Sequence, residues 1–172
     1  MPINPDTKDW TWVLQRPCPE CGFNASAATP ATAPGVVTGM LPRWRTALQR
    51  PDVAARPDDD TWSVLEYACH VRDVFTLFDQ RLTLMLTDDD ARFDNWDQDQ
   101  AAVEKNYASA DPAAVGAELT AAGERIAASF AGVPETHWGR KGTRSNGSEF
   151  TVLTFAQYFL HDVVHHLHDV EG

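Results

Sequence analysis

Residues 61–87 constrain the fold more than any other stretch. Trp62, Leu65, Tyr67, Cys69, Val71, Val74, Phe75, Phe78, Leu82, Met85 and Leu86 recur at helical spacing and give one broad apolar face. A helix of that length with one oily side needs other helices to cover it. Asp58-Asp59-Asp60-Thr61 is expected to cap it, placing acid at the positive end of the helix dipole. Asp88-Asp89-Asp90 is expected to end it. A first helix is expected over about 36–50, with Pro42 as its kink or its start and Pro51 as its close. A third helical region runs over about 98–131, interrupted near Asp111-Pro112, and a fourth helix over about 150–169.

Between these lie a polar crossover at 88–98 holding Phe93 and Trp96, and a loop at 132–149. Residues 1–35 are proline-dotted and weakly patterned. Trp10, Trp12 and Leu14 alternate like a short extended segment, and Pro17–Phe23 reads as a tight turn. The expectation is an all-α four-helix bundle, one domain over 1–172 with an irregular N-terminal extension at 1–35.

The chain has 172 residues, enough to bury a core, and a net charge of −11. Such acidity argues against nucleic acid, whose phosphates need clustered Lys and Arg, and against anionic membrane surfaces. No run approaches the roughly 18 apolar residues of a membrane span. Met1–Asp6 lacks the basic start and apolar core of a signal peptide, so a cytoplasmic location is expected. The three cysteines are an odd number, which argues against a disulfide framework.

Four of the six histidines fall between His161 and His168. His161 and His165 are four apart and stack on one face of a helix, a spacing that lets two imidazoles grip one ion. His70, in the second helix, is the expected third ligand. Three histidines would leave coordination positions for water or substrate. His168 is the rival of His165, and His166 is expected on the flank of the helix, outside the ligand set. Helix C-termini also attract histidine for dipole reasons alone. Glu66, Asp73, Asp162 and Asp169 are candidate partners for the far ring nitrogens. His161-Asp162-Val163-Val164-His165 also approaches the zincin pattern, but with aspartate at the position of the general-base glutamate and no downstream ligand.

Cys18-Pro19-Glu20-Cys21 is half of a zinc knuckle with no second C-x-x-C. Three readings stand: a surface turn with free thiols, a redox pair, or a second metal site shared with His137, His166 or His168. Cys69 is expected to pack in the core. Arg140, Lys141 and Arg144 form a small basic loop before the histidine helix, either solvated or facing an acidic substrate. Trp96 and Trp138 line a pocket or fasten loops.

Together, Trp62–Asp73, Asn95–Asp99, Arg144–Ser148 and His161–His166 resemble the DinB superfamily of DinB/YfiT-like metalloenzymes, its actinobacterial members most closely. The resemblance spans nearly the whole chain. It implies a four-helix bundle of unusual connectivity and a divalent metal, zinc or nickel, on His70, His161 and His165. Several such relatives are transferases or isomerases that use a low-molecular-weight thiol, mycothiol or bacillithiol, as cosubstrate. Mycothiol-dependent maleylpyruvate isomerases carry glutamate where His161 stands, and that departure favours a three-histidine branch. The expected activity is therefore a metal-dependent thiol S-transferase acting on a small molecule, in a protein that forms a homodimer. A non-catalytic metal- or ligand-binding stress protein and a metal-dependent hydrolase are the alternatives.

Overall fold

The computed structural model describes residues 3–171, so Met1, Pro2 and Gly172 lie outside the description. The signal-peptide reading therefore falls partly outside it. Five α-helices are present among the described residues: α1 (Ala33–Ala47), α2 (Val64–Thr87), α3 (Gln98–Glu104), α4 (Pro112–Ala131) and α5 (Val152–Glu171). The four long ones form the bundle. α1 and α2 each pack on both α4 and α5, so α1 and α2, successive long helices, sit diagonally across the core. Trp44, Phe75, Phe130, Phe155, Phe159, Leu119 and Ile126 fill the centre and are shut off from solvent.

Local chemistry sets the helix limits. Ser63, not the Asp58–Thr61 run, caps α2. Its hydroxyl accepts from the Glu66 amide while the Glu66 carboxylate accepts from the Ser63 amide, a full capping box. Asp58 and Thr61 instead close a small turn of their own. Glu66 is buried and also receives Arg56, so its carboxylate is held below the usual range against the opposing effect of burial. Asp111 caps α4, with Pro112 in the first turn where no amide is needed. α1 begins at Ala33 and runs through Pro42 without ending. The expected 98–131 region divides into α3, a 3-10 turn at Tyr107–Ser109 and α4.

The all-α expectation omits one feature. β1 (Ala91–Phe93), β2 (Lys141–Arg144) and β3 (Glu149–Thr151) form a minor sheet, β1 parallel to β2 and β2 antiparallel to β3. Strands of three or four residues are too short to show a period-two pattern, so they read as loop. The β2–β3 turn places Gly147 at φ 92°, and the Gly147 amide donates to the Arg144 carbonyl. Arg140 donates to the carbonyls of Met85 and Asp88 at the end of α2, and Arg144 reaches Asn146, Ser148 and Tyr158. These contacts make the basic loop a brace that sets where α5 starts relative to α2. The N-terminal tryptophans lie on a 3-10 turn, Trp10–Leu14, not an extended strand. That turn packs on α5.

Two consequences are measurable. A Cβ on Gly123 of α4 would stand 2.4 Å from Leu41 and 3.0 Å from Phe75, whereas one on Gly39 of α1 meets nothing within 4 Å. Gly123→Val should cost about 1–3 kcal/mol by overpacking, and Gly39→Ala should gain up to about 1 kcal/mol, both read from denaturant midpoints.

Burial alone would raise the Asp73 carboxyl, but Lys105, Tyr107 and Arg72 outweigh it and hold it below the ordinary range. A depressed native pKa means the contribution is present above the unfolded value of about 3.9 and lost as pH falls through the native one. Asp73→Asn should cost about 1–3 kcal/mol at neutral pH and flatten the stability loss below about pH 4, as read by urea unfolding at stepped pH.

Candidate functional site

α5 carries two i, i+4 pairs displaced by one residue: His161 with His165, and Asp162 with His166. One residue is about 100° of helix, so the pairs face different neighbours. His161 and His165 face the N-terminal segment. One donor atom from each of Cys18, Cys21, His161 and His165 lies within 4.8 Å of every other. Asp162 and His166 face α2, where one donor atom each meets one from His70 under the same limit. The expected trio of His70, His161 and His165 does not form one such group. His70 belongs with the second pair and the two other histidines with the first.

In the α2-facing group, His70 is buried and its Nε2 lies 3.5 Å from Asp162 Oδ2. Neither His70 ring nitrogen, nor Asp162 Oδ2, has a hydrogen-bond partner. Three orphaned polar atoms in one buried spot are costly unless something coordinates them. His166 Nδ1 lies 3.1 Å from Asp169 Oδ2, an orienting contact that turns Nε2 toward Asp162 Oδ1 at 3.7 Å. Burial lowers the His70 pKa. Burial would lower that of His166 too, but Asp162 and Asp169 more than offset it and raise it. Against burial, His166 and His70 hold Asp162 down at about 2. The walls are aromatic: Trp96 stacks on His70 at 5.5 Å, Trp62 lies at 5.5 Å, and Tyr67 stands 5.1 Å from the His166 ring. Asp162 keeps 30% side-chain exposure and His166 16%, so solvent reaches the group from their side.

Trp96 also lines a groove of about 460 Å³, together with Arg72, Asp73, Lys105 and Arg125. A groove of about 730 Å³ between α1 and α4, lined by Arg45, Leu48, Asp111 and Glu124 among others, contains neither histidine nor cysteine.

In the group facing the N-terminal segment, Cys18 Sγ is 3.7 Å from His165 Nδ1. His165 Nε2 points instead to Glu20 at 3.3 Å and Asp169 at 3.7 Å. His161 Nε2 is buried without a partner. Trp10 packs over both rings at 5.5 and 5.4 Å, and Phe23 meets His161 at 5.8 Å. Burial, aided by His165, lowers His161 to about 4, and burial raises the Cys21 thiol to about 11.

The remaining expectations sort against this geometry. His166, expected on the flank, lies in the α2-facing group because it shares a face with Asp162. His168 is exposed and Cys69 is packed in the core. Glu66 and Asp73 serve Arg56 and Lys105 rather than His70. Trp138 stacks on Phe130 and fastens its loop. The spacing rule that picked out His161 and His165 applies equally to Asp162 and His166. The C-x₂-C and H-x₃-H spacings together are those of a Cys₂His₂ set.

No curated protein matches this sequence. Among solved structures, YfiT from Bacillus subtilis, described as a probable metal-dependent hydrolase with an unusual four-helix bundle topology, aligns with a TM-score of 0.73. The identity is 17%, over 83% of this chain and 85% of that one, and the likeness is one of fold. The sequence profile of the DinB superfamily matches residues 39–170. That span takes in α2 and α4 whole, α1 from Gly39 and α5 to Val170, but not Cys18 or Cys21, and over it the chain belongs to the DinB superfamily.

Proposed function

We propose that the protein is a metal-dependent enzyme whose reactive centre is His70, Asp162 and His166, acting as a thiol S-transferase. The observation that carries this reading is the convergence of two imidazoles and a carboxylate, of which both His70 ring nitrogens and Asp162 Oδ2 are buried without a hydrogen-bond partner. Two nitrogens and one oxygen from the protein leave positions open, as catalytic sites require and closed structural sites do not. This assignment keeps His70 from the sequence expectation and replaces His161 and His165 by their neighbours. It also restores a carboxylate to the ligand set, the feature that the resemblance associates with the thiol-dependent isomerases.

His70, Asp162 and His166 would hold a divalent ion, whose positive charge would favour the thiolate, the nucleophilic form of a thiol. The chain's own groups do the rest. Asp169 fixes the His166 ring so that Nε2 faces inward. Trp96 and Trp62 both pack against the His70 ring, which is shut off from solvent. Tyr67, held protonated with its pKa pushed up to about 12 by burial and by Asp169, offers a neutral phenol beside His166. The exposed edge at Asp162 and His166 is the entry for a small electrophile. The fold likeness to a probable metal-dependent hydrolase supports a second reading, with bound water in place of the thiol as nucleophile.

The test is consumption of a model electrophile by the zinc- or nickel-loaded protein, with and without a thiol panel. Thiol-dependent loss that falls at least ~100-fold in His70→Ala is the expected result. Loss that needs no thiol selects the hydrolase, and a metal-loaded protein inert under both conditions makes it a binding protein. Asp169→Asn should weaken metal affinity at this centre by about 10–100-fold with the helical content unchanged, read by competition with a chelator.

A further inference from the structure

We propose a second metal centre, at Cys18, Cys21, His161 and His165, that takes zinc or a similar borderline divalent ion in a closed tetrahedral site. The site is separate from the His70–Asp162–His166 group and does not rest on the reading above. Four observations converge on it. The donor set is two sulfurs and two nitrogens, the combination that selects zinc among common divalent ions. All four donor atoms lie within 4.8 Å of each other. Zn–S of about 2.3 Å and Zn–N of about 2.0–2.1 Å at tetrahedral angles put sulfur and nitrogen roughly 3.6 Å apart. Cys18 Sγ and His165 Nδ1 are 3.7 Å apart, too far for a strong hydrogen bond and right for two ligands of one ion. His161, 3% exposed, has a buried Nε2 with no other partner.

The surroundings fit a ligated site. Glu20 and Asp169 stand beside His165 Nε2, the nitrogen turned away from Cys18, as outer carboxylates do for metal-bound imidazoles. The turn between the cysteines is preformed: the Gly22 amide donates to the Cys18 carbonyl, the Cys18 amide donates to the Phe23 carbonyl, and Gly22 takes φ 74°. Trp10 covers the histidines from outside. Four protein ligands fill a tetrahedron, so the role is structural: the ion fastens the N-terminal segment to α5. Binding converts two thiols to thiolates and releases their protons to solvent, with no change of oxidation state.

The experiment separates this centre from the other by spectroscopy. Full-length His70→Ala/Asp162→Ala protein is reduced, freed of metal and titrated with cobalt(II). One equivalent with a thiolate-to-cobalt charge-transfer band and intense tetrahedral ligand-field bands is expected. Adding Cys18→Ser/Cys21→Ser should abolish both signals and, in the otherwise unaltered chain, lower the zinc content by one equivalent. Because the variants can fail to fold, X-ray absorption at the zinc edge of the unaltered protein provides an independent check. Sulfur scatterers at about 2.3 Å are expected, and Cys69, sealed in the core, cannot supply them. Zinc-loaded protein with reduced thiols and no sulfur neighbour overturns the proposal, whatever the enzymatic activity proves to be. So does a charge-transfer band that survives loss of both cysteines.

Discussion

The helical repeat of α5 is the constraint on which the rest of this molecule depends. Moving one residue along it turns the direction of a side chain by about 100°. His161 and Asp162, and likewise His165 and His166, are therefore neighbours in sequence that look toward different parts of the protein. One side meets α2 and the other meets the N-terminal segment. A single helix can in this way present two distinct donor sets without a kink or an insertion. The surrounding architecture keeps α5 in register with both partners. The Arg140 brace holds its start against the end of α2, and Phe155 and Phe159 lock its inner face among Phe75, Phe78 and Phe130.

Much of the bundle was legible because long amphipathic helices announce themselves. The apolar stripe of α2 and the Asp111-Pro112 start of α4 follow from side-chain period and cap chemistry alone. The small sheet was not legible, since Lys141-Gly142-Thr143-Arg144 shows no alternation and draws its stability from tertiary contacts. Gly142 illustrates this: a Cβ there would lie 2.8 Å from Met85, so β2 rests almost directly on α2. Ser63 rather than Thr61 caps α2 because Glu66 stands three residues after it, a reciprocal pairing hidden behind the more conspicuous aspartates.

The histidine reading shows where spacing stops informing. Four-residue spacing identifies pairs, and α5 contains two of them. Which pair meets His70 is fixed by the rotation of α5 about its own axis, and no local pattern in the sequence encodes that rotation. The cysteines were similarly ambiguous. Cys18 and Cys21 have the spacing of half a metal site, but the identity of the other half depends on where the N-terminal segment folds back. Trp10 and Phe23, packed on His161, answer that in three dimensions. Asp169 reaches both groups, Oδ1 toward His165 and Oδ2 toward His166.

The contact between Cys18 and His165 joins positions 147 residues apart. Such a contact is expensive to form in an open chain, because bringing its ends together sacrifices the freedom of everything between. A bond of that span removes denatured-state entropy on the scale of a long-loop cross-link, for which roughly 100 residues correspond to about 4.7 kcal/mol in the chain-entropy account. An ion held between those side chains would therefore act as a reversible cross-link around nearly the whole domain. The price of removing it would fall on the cooperativity of unfolding as well as on one short segment.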